Sequence, residues 1–392
     1  IWVLALACLL MMAMTALAMR VGVALKRSPC DELAASGARW FAVTIGIALF
    51  LVAASFQFSN NLGILFAFEP PFEQEAAGRG AGSDNSWNIL LLLGLNAVVI
   101  VSLLLARNLY AFVEWAMKWL VGLMLLAFAT NLLITRPSIG DILLGFIPNL
   151  SAVGEVSSAG SNTGLANENL FILLGLAATT FSVGAAFYQA YLVRQRGWGV
   201  ADLQTGGIDS VDGIAALGCM SLMIMVTAAA AFHQNPEVTQ LNTAADVARQ
   251  LRPLFGPMST LLFCMGVLAG ALSSFLVISM IGGCVLSDGL GFGSNINERG
   301  PRIATIASLL IGMSVAIATK GSGYSTASLI VFAQAITVVG NPLLAGAILW
   351  LASKCRRADR SSIPLWFMLG GYAGMAVVLV LSIRTVVSLL GR

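Results

Sequence analysis

Ten runs long and apolar enough to cross a bilayer recur along the chain, and they leave it few folds to choose from. A spanning helix needs about 20 mostly apolar residues, because no water is present inside the bilayer to satisfy backbone N–H and C=O groups. The runs are 1–24, 41–68, 87–106, 110–134, 168–193, 212–233, 254–287, 303–319, 325–352 and 364–389. Composition agrees: 58% of the 392 residues are hydrophobic and 10% are charged, against about 25% charged in soluble domains. The expectation is an all-α polytopic membrane protein forming one bundle over 1–392, rather than a string of soluble domains. Ile1 already lies inside an apolar run with no charged stretch before it, so a shortened N-terminus is expected rather than a signal peptide.

Lys and Arg concentrate on the odd-numbered connections, most of all at Lys354, Arg356, Arg357 and Arg360. The positive-inside rule places those connections in the cytoplasm. The second connection, 69–86, is acidic and falls outside; a solvated loop accounts for it. The fourth, 135–167, is rich in Ser, Gly and Asn and is expected over the outer mouth or partly mobile. A net charge of +3 gives no reason to expect a nucleic-acid partner. The single histidine, His233, excludes a multi-histidine metal centre. Six cysteines form no CxxC pair and read as small buried hydrophobes. With no nucleophile–base pair, HExxH or carboxylate dyad, an enzyme is not expected. Gly266 and Gly270, followed by Ser273, Ser274, Gly282 and Gly283, read as a surface for close helix packing.

The run 168–193 is unlike the others. Thr179, Thr180 and Ser182 lead into Val183, Gly184, Ala185 and Ala186, and an amphipathic stretch with Tyr188, Gln189 and Tyr191 then ends on Arg194 and Arg196. Small and hydroxylated residues in mid-span predict a helix interrupted to present backbone groups to an ion, with the second half starting near Gly184. Uncharged polar groups recur at comparable depth elsewhere: Ser55, Gln57, Ser59, Asn60 and Asn61 in one run, Gln334, Thr337 and Asn341 in another. Burying such groups is costly without partners, so a shared polar cavity is expected.

These residues carry a family likeness. The chain resembles the natural resistance-associated macrophage protein (NRAMP) superfamily of divalent metal transporters, nearly end to end, from IWVLALACLLMMAMTALAMRVGVAL to TVVGNPLLAGAIL. The most specific pieces are TTFSVGAAFYQAYLVRQR, TAAAAFH with the later LRPLFGP, LFCMGVLAGALSS, and Gln334 ahead of Asn341-Pro342. The resemblance implies a LeuT-like inverted-repeat bundle, with the site where the family's first and sixth helices unwind. It makes 1–24 the second helix and 168–193 the sixth. Residues 1–134 become the remainder of the first repeat, 168–352 the second, and 364–389 an additional helix. The first helix, which in the family carries an Asp-Pro-Gly…Asn ligand motif, is expected ahead of Ile1.

Two departures from the family pattern bear on function. Where the family has Met-Pro-His at the break, this chain has Val183, Gly184 and Ala185. Without a thioether the implied ligands are hard oxygens: backbone carbonyls near Thr180, with Val183 and Gly184 lining an open pocket, and Gln334 closing the site with water. Such a set suits Mg²⁺ or Mn²⁺. Magnesium transporters related to the family share the missing Met. The positions of the family's proton path are Gln57, Asn60, Ala185 and Gln189, none of which titrates near neutral pH. The expectation is a secondary transporter or facilitator moving Mg²⁺ or Mn²⁺ by alternating access, without obligatory proton coupling. It would sit in a bacterial cytoplasmic membrane, with the metal as cargo and no cofactor. Two rivals stand beside it: a carrier of the same fold for an organic solute such as an amino acid, and a metal sensor that does not transport.

Overall fold

The computed structural model describes residues 1–37, 39–76, 85–105, 119, 122–123, 125–149, 168–232, 244–319, 324–359 and 363–390. Among these residues all regular structure is helical. The main helices are α1 (Trp2–Ala24), α2 (Pro29–Ala35), α3 (Arg39–Ala76) and α4 (Asn85–Leu105), then α5 (Leu125–Thr135). They continue with α6 (Glu168–Thr180), α7 (Val183–Gln195), α8 (Leu203–Phe232), α9 (Ser259–Leu290), α10 (Arg299–Thr319), α11 (Thr326–Ile336), α12 (Asn341–Ala358) and α13 (Leu365–Leu390).

Eight segments among the described residues are long and apolar enough to cross a membrane. Two of the ten expected spans are not among them. The run 87–106 appears as α4, whose apolar part is the shorter Trp87–Val101, and of 110–134 the described residues show the short apolar helix α5, while about half of the run lies outside them. His233 and much of 135–167 also lie outside them. Some boundaries differ from the expected ones. α8 begins at Leu203 rather than 212, after a turn in which the Asp202 carboxylate accepts the Gly199 N–H at 2.8 Å. α9 runs past 287 to Leu290 and stops where Gly291 takes a left-handed φ of 85°, which glycine adopts without steric cost.

Lipid tails are as apolar as leucine side chains, so helices associate in a membrane through close van der Waals contact rather than by escaping solvent. The closest contacts join α3, α9 and α10. A Cβ on Gly289 would meet the Ala42 carbonyl oxygen at 2.6 Å, and one on Gly282 would meet the Ala53 Cβ at 2.4 Å. Gly283 lies against the Thr305 backbone nitrogen, 2.5 Å from where its Cβ would be, and Gly312 against the Gln57 carbonyl carbon at 2.7 Å. The expected Gly266–Gly270 surface divides differently: among the described residues no neighbouring atom lies within 4 Å of the Gly270 Cβ position. Gly266 is buried, and the glycines of α9 seen in close contact with α3 and α10 are Gly282, Gly283 and Gly289.

The connections that are rich in Lys and Arg converge on one end of the bundle. Arg194, at the end of α7, donates to the carbonyls of Leu25 and Lys26, ahead of α2. Gln195 donates to the Ser294 carbonyl beyond α9, and Lys354 of α12 pairs with Glu32 of α2.

Candidate functional site

The interrupted helix is present. α6 ends at Thr180 and α7 starts at Val183, so Phe181 and Ser182 form the break, one residue ahead of the expected restart at Gly184. Main-chain bonding passes from the Phe181 N–H, on the Ala177 carbonyl at 2.8 Å, to the Ala186 N–H, on the Ser182 carbonyl at 3.1 Å. The last carbonyls of a helix have no intrahelical donor, so those of residues 178–181 are the acceptors that the break releases. Ser182 caps α7, its hydroxyl accepting the Ala185 N–H at 3.4 Å. Thr179 instead bonds back to the Gly175 and Leu176 carbonyls at 3.0 and 3.1 Å, within α6.

The space beside the break is filled. Phe181 and Val183 are buried, and a Cβ on Gly184 would meet the Leu49 Cδ1 at 2.5 Å. The open pocket expected at Val183–Ala185 is therefore occupied by the Leu49 side chain reaching across from α3. On the next turns, Gly22 of α1 lies against the Ala190 carbonyl, 2.6 Å from where its Cβ would be. That contact holds the second half-helix close to α1.

The uncharged polar residues assemble as a string on α3, α4 and α11. Gln57 is buried and donates to the Phe275 carbonyl of α9 at 3.1 Å, while its own side-chain oxygen accepts from Asn60 at 3.4 Å. Asn61 donates to the Gln57 carbonyl at 2.7 Å and accepts from Asn96 of α4 at 2.7 Å. Gln334 donates to the Ser59 hydroxyl at 2.7 Å, and Ser55 to the Ala333 carbonyl at 2.8 Å. The Gln334 Oε1 is a buried acceptor with no hydrogen-bond partner among the described residues. α11 ends just beyond it, where Thr337–Gly340 forms a 3₁₀ turn and Thr337 donates to the Gln334 carbonyl at 2.6 Å.

Gln334 lies at the level of Gly175, whose Cβ would be 3.8 Å from the Gln334 Cβ. Five residues separate Gly175 from Thr180, so the string is displaced from the break by about 7 Å along α6. Gln57, Asn60 and Gln334 belong to one polar region. Gln189 does not: it faces α8 and donates to Ser210 at 3.3 Å.

One buried charge was missed from sequence. Asp288 is 2% exposed and lies on the last turn of α9. It falls one residue beyond the expected run 254–287 and reads there as a loop acid. The clue was the neighbouring Gly282, Gly283 and Gly289, which continue the packed face of α9 to either side of it.

A profile of the Nramp family, described as natural resistance-associated macrophage protein-like, matches residues 1–388. The chain belongs to this family. It is an integral, multi-pass membrane protein of that kind. Among curated relatives it is 25% identical over 277 residues to the divalent metal cation transporter MntH of Nostoc sp., covering 68% of this chain and 59% of that protein. It is 23% identical over 305 residues to MntH of Bradyrhizobium diazoefficiens, covering 75% of this chain and 63% of the relative. The chain thus spans less than two thirds of the length of these two relatives. Among solved structures, a glutamate-to-alanine mutant of the Eremococcus coleocola manganese transporter superposes with a TM-score of 0.70 at 18% identity, covering 100% of this chain and 81% of that one. At that identity the likeness establishes the fold, which is the LeuT-like bundle.

Proposed function

We propose that this Nramp-family chain carries divalent metal cations across the membrane, with Mg²⁺ or Mn²⁺ as cargo, by alternating access. The observation that carries the reading is the break at Phe181–Ser182, which releases backbone acceptors in the middle of an apolar span. Relatives named as divalent metal cation transporters support the cargo class.

The ligands on this chain are the carbonyl of Thr180 and the Gln334 Oε1, which has no partner among the described residues, with Val183 and Gly184 lining the site. Both are hard oxygen donors, which favour Mg²⁺ and Mn²⁺ over softer ions, whereas the N–H groups of the restarted helix cannot ligate a cation. Val183 is fully buried and apolar, so it contributes no side-chain donor. Gln334 lies more than a turn from Thr180 along α6, so a bound ion would join them through its retained water. Mg²⁺ in particular dehydrates reluctantly.

Transport runs without obligatory proton coupling. Gln57 and Asn60 are hydrogen-bonded to each other and hold no proton that leaves near neutral pH. The membrane in question is a bacterial cytoplasmic membrane, with the basic end inside.

The experiment is uptake into proteoliposomes with a pH dye in the lumen, on the full-length protein. Saturable Mn²⁺ or Mg²⁺ uptake at constant lumenal pH is expected. Uptake of neither ion refutes the function, and metal-dependent lumenal acidification refutes the uncoupled mechanism. In the same assay Val183→Met should raise Mn²⁺ or Cd²⁺ uptake relative to Mg²⁺, and an unchanged preference would remove the argument from ligand softness.

A further inference from the structure

Three donors converge on the buried Asp288 carboxylate. The Ser28 hydroxyl donates to Oδ1 at 2.7 Å, the Tyr191 hydroxyl to Oδ2 at 2.7 Å, and the Cys30 backbone N–H to Oδ2 at 3.2 Å. An ionised carboxylate can only accept, so a shell made of donors suits it. Tyr191 belongs to α7, the second half of the broken helix, whereas Ser28 and Cys30 open α2. Ser28 is the N-cap residue of α2, yet its side chain makes no capping bond. The carboxylate from α9 takes that role instead by accepting an N–H of the first turn.

A second rung lies one turn away, where the Tyr188 hydroxyl meets the Cys284 sulfur at 3.9 Å and the Tyr188 ring stacks on Tyr191 with centroids 5.7 Å apart. Arg194 adds bonds to the carbonyls of Leu25 and Lys26, and Lys354 fastens the far end of α2 through Glu32 and Ser36. α2 thus lies across the basic end of the bundle, tied to α7, α9 and α12.

These ties differ in kind from the glycine contacts among α3, α9 and α10, where glycine meets backbone or a small side chain and the polar contact described is the neutral Gln57–Phe275 bond. Hydroxyl, N–H and carboxylate groups can trade one another for water when their end of the bundle opens.

We propose that Asp288 is a positioning residue for transport: through Tyr191 it holds the inner half-helix α7 against α9 and α2, and this latch opens and closes in each transport cycle. Its part in turnover rests on the transporter reading above; the latch itself can be tested without transport. Cys30 supplies the reporter, because it is 0% exposed beneath these bonds.

The test uses full-length protein in proteoliposomes, with the other five cysteines replaced. A membrane-impermeant maleimide is applied from the basic side, and Mn²⁺ uptake is measured in parallel. Asp288→Asn and Tyr191→Phe should each speed Cys30 labelling by about tenfold, the scale of losing a hydrogen bond to a charged group. Each should also lower the maximal uptake rate while leaving the half-saturating Mn²⁺ concentration unchanged. Tyr191→Phe keeps two of the three donors on Asp288, so the test stands even if Asp288→Asn fails to fold. Labelling at the parent rate in both variants overturns the proposal, and so does faster labelling with a normal maximal rate. If the parent protein moves no divalent ion, the transporter reading fails and with it the role in turnover, while the labelling still decides whether the latch exists.

Discussion

The polar string on α3, α4 and α11 and the cluster around Asp288 solve the same problem with opposite chemistry. Both bury oxygen and nitrogen atoms within the apolar bundle. The string does so with neutral amides, Gln57, Asn60, Asn61, Asn96 and Gln334, each donating to a carbonyl, an amide oxygen or a hydroxyl. The cluster does so with a carboxylate wrapped in three donors. Neutral amides give the string polarity without a group that gains or loses a proton near neutral pH. The acid gives the basic end a charge whose partners sit on separate elements. The proposed cation path and the proposed tie place different demands on polar groups, and each lies where the chemistry suits it.

The contrast can be broken most severely at Gln57. Gln57→Glu puts a carboxyl where the amide now donates to the Phe275 carbonyl, and a buried carboxylate there faces an acceptor. Burial should raise the pKa of the new group above the usual carboxylate range. Uptake, expected to be flat with pH in the parent, should become pH-dependent by several-fold between about pH 5 and 7. A flat profile in the variant would show that the string does not line the ion's route.

Gln334→Ala comes next. It removes the unpartnered Oε1 and the bond to Ser59. A lost neutral hydrogen bond costs about 1 kcal/mol of stability. The half-saturating metal concentration should rise about tenfold with the maximal rate little changed, the pattern of lost ground-state binding. An unchanged half-saturation concentration would exclude Gln334 as a ligand.

The smallest effect concerns Cys30 on α2. Burial, reinforced by the nearby Asp288 charge, pushes its thiol well above the ordinary thiol range. The folded state therefore favours the protonated thiol. The sign follows: this contribution is fully present below the unfolded thiol pKa, about 8.5, and is lost as pH rises from there toward the folded value. Thermal stability of the parent should decline above about pH 8.5, and Cys30→Ala should flatten that decline. An equal slope in both would place the alkaline sensitivity elsewhere.

Much of the fold was legible because the bilayer forces it to be: long apolar runs of this kind form helices, and eight of the ten expected runs correspond to membrane-length helical segments among the described residues, with the break within one residue of its expected place. The neighbourhood of the break was less legible. Gly184 looked like room for water, but a glycine specifies only that something approaches closely, and here the Leu49 side chain does. Gln189 looked like a member of the polar region because it lies near the break in sequence, yet its turn of α7 faces α8 and Ser210. Asp288 was hidden by its position at the edge of an apolar run, where an acid usually meets solvent. Only the long-range pairing with Ser28, Cys30 and Tyr191 reveals it as buried, and no local pattern encodes contacts so distant in sequence.

The break has an electrical consequence. Where α6 stops, its carbonyl end carries roughly half a negative charge, and where α7 restarts, its N–H end carries roughly half a positive one. The two opposed poles face each other across Phe181 and Ser182. At the proposed site a cation would be drawn to the α6 side and repelled by the α7 side, so a step past α7 would be uphill for as long as α7 holds its present direction. Turning α7 would swing that positive pole away, and the orientation of a single half-helix would then act as a rectifier for the ion.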